Sequence, residues 1–360
     1  LRRAGPPRLA RLRRAPVLAA LGMALVLNLA TTASAAEPPA PASVPAAQRS
    51  AAQWLVLMQD AARRIDYEGT AVHQRAEQMR SAHIAHRAEQ GVSVQRVQML
   101  DGEPMEFIRR RSGSQDEVQC LIPGRKLVTV RQRAVETRFP TMLGKPVETV
   151  LRNYSASLGA VERAAGRPAQ VIDLVPRDGL RHAYRLWVDR DSGLLLRFQV
   201  IEGGNALEQV AFTELRLGPK LPPAAVAPSW ATRGWETERL PVDNMDLAQR
   251  GWVATPPAGY VLLRALPRTL VAPGGAAMPV IQLLYSDGIA HVSVFIEDAA
   301  TSPHQQEGEM RAGAMSAVTR RVGTSMVTAV GEVPPAGARA AALSIQSRGP
   351  AAATSGGSGK

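Results

Sequence analysis

Cysteine is nearly absent: Cys120 stands alone among 360 residues. A single thiol cannot close an intramolecular disulfide or build a cysteine-based zinc site. Aromatic residues are scarce too, at 4% of the chain. They do not interleave with the basic stretches as single-strand nucleic-acid binding requires, which argues against a nucleic-acid partner. Past residue 35 no apolar run reaches the ~18 residues of a membrane-spanning helix. The motifs of common catalysts are missing as well: there is no G-x-S-x-G, H-E-x-x-H or C-x-x-C. Leu143-Gly144-Lys145 runs on into Pro146, which breaks a phosphate-loop pattern. No catalytic residue, cofactor or metal site is therefore expected, and a binding protein is favoured over an enzyme.

What is present begins with charge. The formal net charge is +12, from 43 Lys+Arg against 31 Asp+Glu. Half of it sits in Arg2, Arg3, Arg8, Arg11, Arg13 and Arg14, with no acid among them. An apolar run from Ala15 to about Ala30 follows, then Ala33-Ser34-Ala35. Basic, apolar and small residues in that order form a secretory signal, and the small-x-small pattern predicts cleavage between Ala35 and Ala36. An exported chain without an anchor implies a periplasmic location. The remaining charge is dispersed.

Residues 36–49 are Pro/Ala-rich and read as a disordered spacer. Trp54, Leu55, Met58, Ala61, Ala62 and Ile65 repeat at helical spacing. Gly69 is expected to end that helix in a left-handed conformation. Short extended runs follow at 70–76, 80–87, 92–100, 105–110, 117–122 and 126–133. A second helix is expected over Thr141–Leu158, then strands at 170–175, 181–189, 194–202 and 206–217. Turns about ten residues apart indicate an antiparallel meander. Residues 50–217 thus read as one α+β domain with a large antiparallel sheet and two helices. Residues 218–229 are a proline-rich linker. Residues 230–346 form a smaller domain with strands near 260–266, 279–285, 289–297, 314–322 and 326–333 and a closing helix from Pro335 to Gln346. Residues 347–360 read as a disordered tail.

Arg109-Arg110-Arg111 and Arg131, Arg133 and Arg138 are the densest basic stretches of this part. Two readings stay open: a solvated strand edge protected by charge, or contacts to an acidic partner or lipid phosphates. His83 and His86 lie three apart on a strand, so they point to opposite faces and converge poorly on a metal. Asp189 and Asp191 flank a turn and read as caps of their own backbone.

Tyr67–Arg75, Tyr184–Asp189 with Ser192–Leu196, Tyr285–Gly288 leading into Val292–Glu297, and Val330–Pro335 together resemble the RseB/MucB family of periplasmic stress regulators. They run in the family's order over about 50–346, with His73 replacing a usual aromatic. The resemblance implies an N-terminal domain similar to LolA and LolB, a curved incomplete β-barrel covered by helices, and a small α/β C-terminal domain with an antiparallel sheet. It implies binding to the periplasmic segment of a membrane anti-sigma factor of the RseA/MucA kind, shielding it from the site-1 protease. Lipopolysaccharide or lipoprotein acyl chains would relieve that shielding. The alternative is a lipid or lipoprotein carrier on the same fold. Homo-oligomer formation stays open.

Overall fold

The computed structural model describes residues 46–132, 139–218, 220–240, 244–271, 277–302 and 306–348. The leader with Ala35 and Ala36, the spacer up to residue 45, Arg133, Arg138 and the tail from residue 349 lie outside the described residues.

Helix α1 (Ala51–Arg64) starts at a capping box. The Gln53 amide donates to Ser50 Oγ at 3.3 Å, and the Ser50 amide donates to Gln53 Oε1 at 2.8 Å. The helix buries Trp54, Leu55, Met58, Ala61 and Ala62, which share one face. Each large apolar side chain so buried contributes ~1.5–3 kcal/mol.

Strands β1 (Tyr67–Arg75), β2 (Gln78–Glu89), β3 (Val92–Met99), β4 (Glu106–Ser112), β5 (Gln115–Ile122) and β6 (Leu127–Gln132) form a meander. Helix α2 (Val147–Asn153) then leads into β7 (Tyr154–Ala164), β8 (Arg167–Pro176), β9 (Ala183–Asp189), β10 (Leu195–Glu202) and β11 (Asn205–Leu217). Strand β11 pairs with β1 and joins the two runs. A short strand β12 (Glu236–Arg239) adds to β6. The order is β12-β6-β5-β4-β3-β2-β1-β11-β10-β9-β8-β7, an open curved sheet of 12 strands that does not close into a barrel. Helices α1 and α2 cover its inner face, where Trp54, Met58, Val147, Val150, Ile172 and Leu186 pack together.

Two expectations change here. The helix expected over Thr141–Leu158 shrinks to Val147–Asn153, because Tyr154 turns extended (φ −129°, ψ 147°) and β7 begins. Helical spacing reached Leu158, but that residue is exposed and faces Ile172 across the β7–β8 ladder. Gly69 does not end a helix; it lies inside β1 with ordinary φ. Its role is close approach: a Cβ there would sit 2.2 Å from the Glu214 carbonyl oxygen on β11.

Residues 220–235, which include most of the proline-rich stretch, run along the outer face of this sheet as a strap before β12 joins its edge. Leu221 donates its amide to Asp66, and Arg87 donates to the Leu221 carbonyl. The buried Glu106 accepts from the Ser229 amide and hydroxyl, both at 2.9 Å. Trp230 and Trp235 cover Ile108, Leu121, Val128 and Val130. The β12–β6 pairing is parallel, unlike its neighbours.

The second sheet comprises β14 (Val261–Val271), β15 (Ala277–Ser286), β16 (His291–Asp298), β17 (Gly308–Ala312), β18 (Met315–Val322) and β19 (Ser325–Gly331). Its order is β14-β15-β16-β19-β18-β17. Pro267, which has no amide hydrogen, is tolerated because β14 is an edge. Helix α3 (Pro335–Leu343) covers one face with Ala338, Ala341 and Ala342. It stops short of the expected Gln346, and Ile345–Ser347 (β20) pairs instead with Trp252–Ala254 (β13). Both sheets belong to one compact unit of the chain.

Candidate functional site: a cleft between the domains

Alternation along β4 splits the arginine triplet. Arg109 pairs in register with Gln95 on β3 and Val118 on β5, and Val118 pairs with Arg131 on β6. In-register residues share a face. The same row runs back through His86 to Tyr67, beneath α1. Arg109 and Arg131 therefore lie on the helix-bearing inner face, with Arg111 two residues on, while Arg110 is exposed on the other side. The strand-edge reading fails for the triplet, since β4 is an interior strand between β3 and β5.

Arg109 and Arg111 line a cavity of about 760 Å³. Arg63 and Arg64 reach it from the last turn of α1, where a positive side chain also complements the helix dipole. Lys145 reaches it from the loop before α2. Leu263, Ser286 and His291 close it from the second sheet. Asp116 holds two of the guanidinium groups in place. Arg109 Nε donates to its Oδ1 at 2.8 Å, and Arg111 Nε donates to its Oδ2 at 3.2 Å. Burial pushes the Asp116 carboxyl up, but the bonds and charges of Arg109 and Arg111 hold it below the ordinary range. Burial, with the charge of Arg109, makes Arg111 easier to deprotonate than a free arginine.

A second cavity of about 370 Å³ lies further along the same face of the second sheet, lined by Arg131, Arg264, Arg268, Leu266, Leu284 and Phe295. Arg264 donates to the Gln132 carbonyl at 2.8 Å and ties the two domains there. Both cavities are lined by more cationic than anionic groups, and the second adds the apolar Leu266, Leu284 and Phe295. Such a surface suits an acidic segment that carries some apolar side chains.

Further polar contacts link the domains on two sides. Asp287, in the β15–β16 turn, is wholly buried and accepts from Tyr154 Oη at 2.9 Å and Arg181 Nε at 2.8 Å. Burial, and then the neighbouring Tyr184 and the charge of Asp287, raise the Tyr154 phenol well above its usual range, so it stays a neutral donor. On the other side, Glu208 on β11 accepts from Arg75 Nε at 2.8 Å, and Arg75 also pairs with Glu332 of the second domain. Burial pushes the Glu208 carboxyl up, but His73 and Arg75 outweigh it and hold it low.

The histidine pair takes separate places. His86 Nδ1 donates to the Ile65 carbonyl at 2.8 Å, and its ring stacks on Tyr67 at 4.9 Å. Burial lowers its affinity for a proton. His83 faces Glu68 at 3.4 Å. Asp189 does cap its turn, accepting from the Ser192 amide and hydroxyl at 2.9 and 2.6 Å. Arg63, Arg64, Lys145, Arg264 and Arg268 went unnoticed in the sequence. They come from separate segments that only the packing of two domains brings together, so no local pattern marks them.

Comparison with known proteins places this architecture. Residues 50–230 match the MucB/RseB N-terminal domain and residues 246–346 the MucB/RseB C-terminal domain. The sigma factor AlgU regulatory protein MucB of Pseudomonas aeruginosa is 33% identical over 319 residues, 84% of this chain and 93% of that protein. A crystal structure of MucB in complex with MucA(peri) superposes with a TM-score of 0.64 at 29% identity, covering 83% of this chain and 99% of the other. The Pseudomonas aeruginosa MucA/MucB complex gives a TM-score of 0.65 at 28% identity, with the same coverage. Both halves of the fold, matched in order and nearly end to end, make this chain a member of the MucB/RseB family.

Proposed function

We propose that this chain is a periplasmic negative regulator of a sigma-E-type stress response. It binds the periplasmic part of a membrane anti-sigma factor in the cleft lined by Arg63, Arg109, Arg111 and Lys145. The likeness to MucB bound to MucA(peri) carries the reading. The cleft supplies the chemistry. Guanidinium groups take carboxylates through paired, planar hydrogen bonds, and Asp116 has already oriented two of them. A segment seated between two domains is out of reach of a protease, which gives the shielding function a physical basis. The export signal at residues 1–35 supports the periplasmic location.

Relief by lipopolysaccharide or lipoprotein acyl chains is the finer part of the proposal. Lipid acts as inducer only if it binds the released state more tightly than the occupied one. The test uses the chain from residue 36 onward and the isolated periplasmic segment of a membrane anti-sigma factor. Binding and protection of the segment from the site-1 protease are expected, and lipopolysaccharide should weaken both. A segment cleaved equally fast with and without the chain contradicts the reading. Equal binding with and without lipopolysaccharide removes the lipid step alone.

A further inference from the structure

We propose that Arg181 and Asp287 are a positioning pair that sets the angle between the two domains and thereby the width of the cleft. This rests on the cleft function proposed above. The two side chains are fully buried. Asp287 uses both oxygens: Oδ1 accepts from the Ile289 and Ala290 amides of its own turn, at 2.9 and 2.8 Å. Oδ2 accepts from Tyr154 and Arg181 of the first domain. Arg181 also pairs with Asp178, donates to the Ala258 carbonyl at 2.7 Å, and lies 4.5 Å from the Tyr260 ring centroid. Every polar group of the knot is thus committed, and the partners come from both domains.

The knot is joined to the cleft wall. Ser286, one residue before Asp287, lines the cavity. Gly288, one residue after, accepts from the Gly144 amide at 2.8 Å. A Cβ on Gly288 would lie 3.0 Å from Cβ of Lys145, itself a lining residue. Rotation of the second domain about this turn therefore moves the wall. A buried ion pair is weak as a source of stability, because desolvation offsets its attraction, but it is demanding in geometry. Removing the Asp287 charge leaves Arg181 its pair with Asp178 but releases it from the β15–β16 turn, so the loosened state is reached by a single substitution.

The experiment is pulsed electron paramagnetic resonance on the full chain, in a Cys120→Ser background. Spin labels replace the exposed Arg163 on β7 and Met310 on β17. The unaltered pair should give one narrow distance. Asp287→Asn keeps the turn acceptor but loses the charge, and should broaden the distribution while far-ultraviolet circular dichroism stays unchanged. Affinity for the anti-sigma segment should fall by ~5–150-fold, the usual span of coupling between a conformational equilibrium and a site. Tyr154→Phe removes one hydrogen bond and should give a smaller shift in both readouts, so it carries the test if Asp287→Asn does not fold. A narrow, unmoved distance in a folded variant overturns the proposal, as does a broadened distance with unchanged affinity. If the unaltered chain does not bind the segment, the cleft reading falls, and the distances still decide whether the pair sets the angle.

Discussion

Asp116→Asn should lower the stability of the chain and raise its affinity for an acidic segment. The substitution keeps the shape and removes one negative charge held between Arg109 and Arg111. Asp116 and Arg111 are each 23% exposed and Arg109 is 9% exposed, so solvent screens these bonds only in part. A hydrogen bond to a charged partner is worth ~1.5–3 kcal/mol. Bonds that share one carboxylate do not add fully, so the total loss is about 2–3 kcal/mol. In a domain of this size that lowers the melting temperature by ~4–12 °C. The freed guanidinium groups then face the cleft with one more net positive charge. An exposed charge pair contributes up to ~1 kcal/mol, or about fivefold in affinity. That gain should shrink with added salt. The pH dependence has a definite sign. Asp116 has a depressed pKa when folded, so its contribution is complete above the unfolded value, about 3.9, and is lost as pH falls through the folded value. Thermal unfolding at pH 7 and across the acid range, with calorimetric titration of the segment, reads all three effects. A melting temperature unchanged at pH 7, or an affinity that falls in the folded variant, refutes the reasoning.

Gly69→Ala should cost at least ~1–3 kcal/mol, the range for overpacking, because the new methyl meets backbone on β11 that cannot rotate away; denaturant titration checks it. Glu106→Ala should cost ~1.5–3 kcal/mol by removing the carboxylate that faces Arg96 and releasing Ser229. Limited proteolysis should then cut first within residues 220–240. Asp189→Ala should remove the acceptor of Arg167 and the Ser192 turn, and the variant should lose less stability on acidification than the parent. The Asp189 pKa is depressed when folded, so its contribution disappears as pH falls through that value.

Local patterns were legible in the sequence where one element alone decides them. The spacing of Trp54, Met58 and Ala62 announces α1 because one helix face must be buried. Arg190-Asp191-Ser192-Gly193 announces its turn because Gly193 takes φ +78° and Asp189 caps the backbone. Position along a strand was legible for Arg109 and Arg110, but not which of them would meet a cleft, since that depends on where the second domain sits. Strand β7 escaped for a related reason: Tyr154 and Leu158 fit a helical stripe, and only pairing with β8 decides the matter. The strap escaped because prolines signal a break in regular structure, whereas Val226, Trp230 and Trp235 are apolar residues that the outer face of the sheet needs covered. Asp287 and Arg181 are 106 residues apart, and no sequence spacing links them.

The account turns on where the anti-sigma segment binds. Arg63→Glu with Lys145→Glu reverses two charges on the cleft wall without touching the Asp116 bonds or the Asp287 knot. Calorimetric titration of the purified periplasmic segment against this double variant is the most direct measurement. We expect the affinity to fall about tenfold or more, a change of ~1.4 kcal/mol, while loss of the Arg63 charge at the end of α1 lowers the melting temperature by only a few degrees. An affinity equal to that of the parent chain, in a variant that still unfolds cooperatively, would contradict the assignment of the cleft.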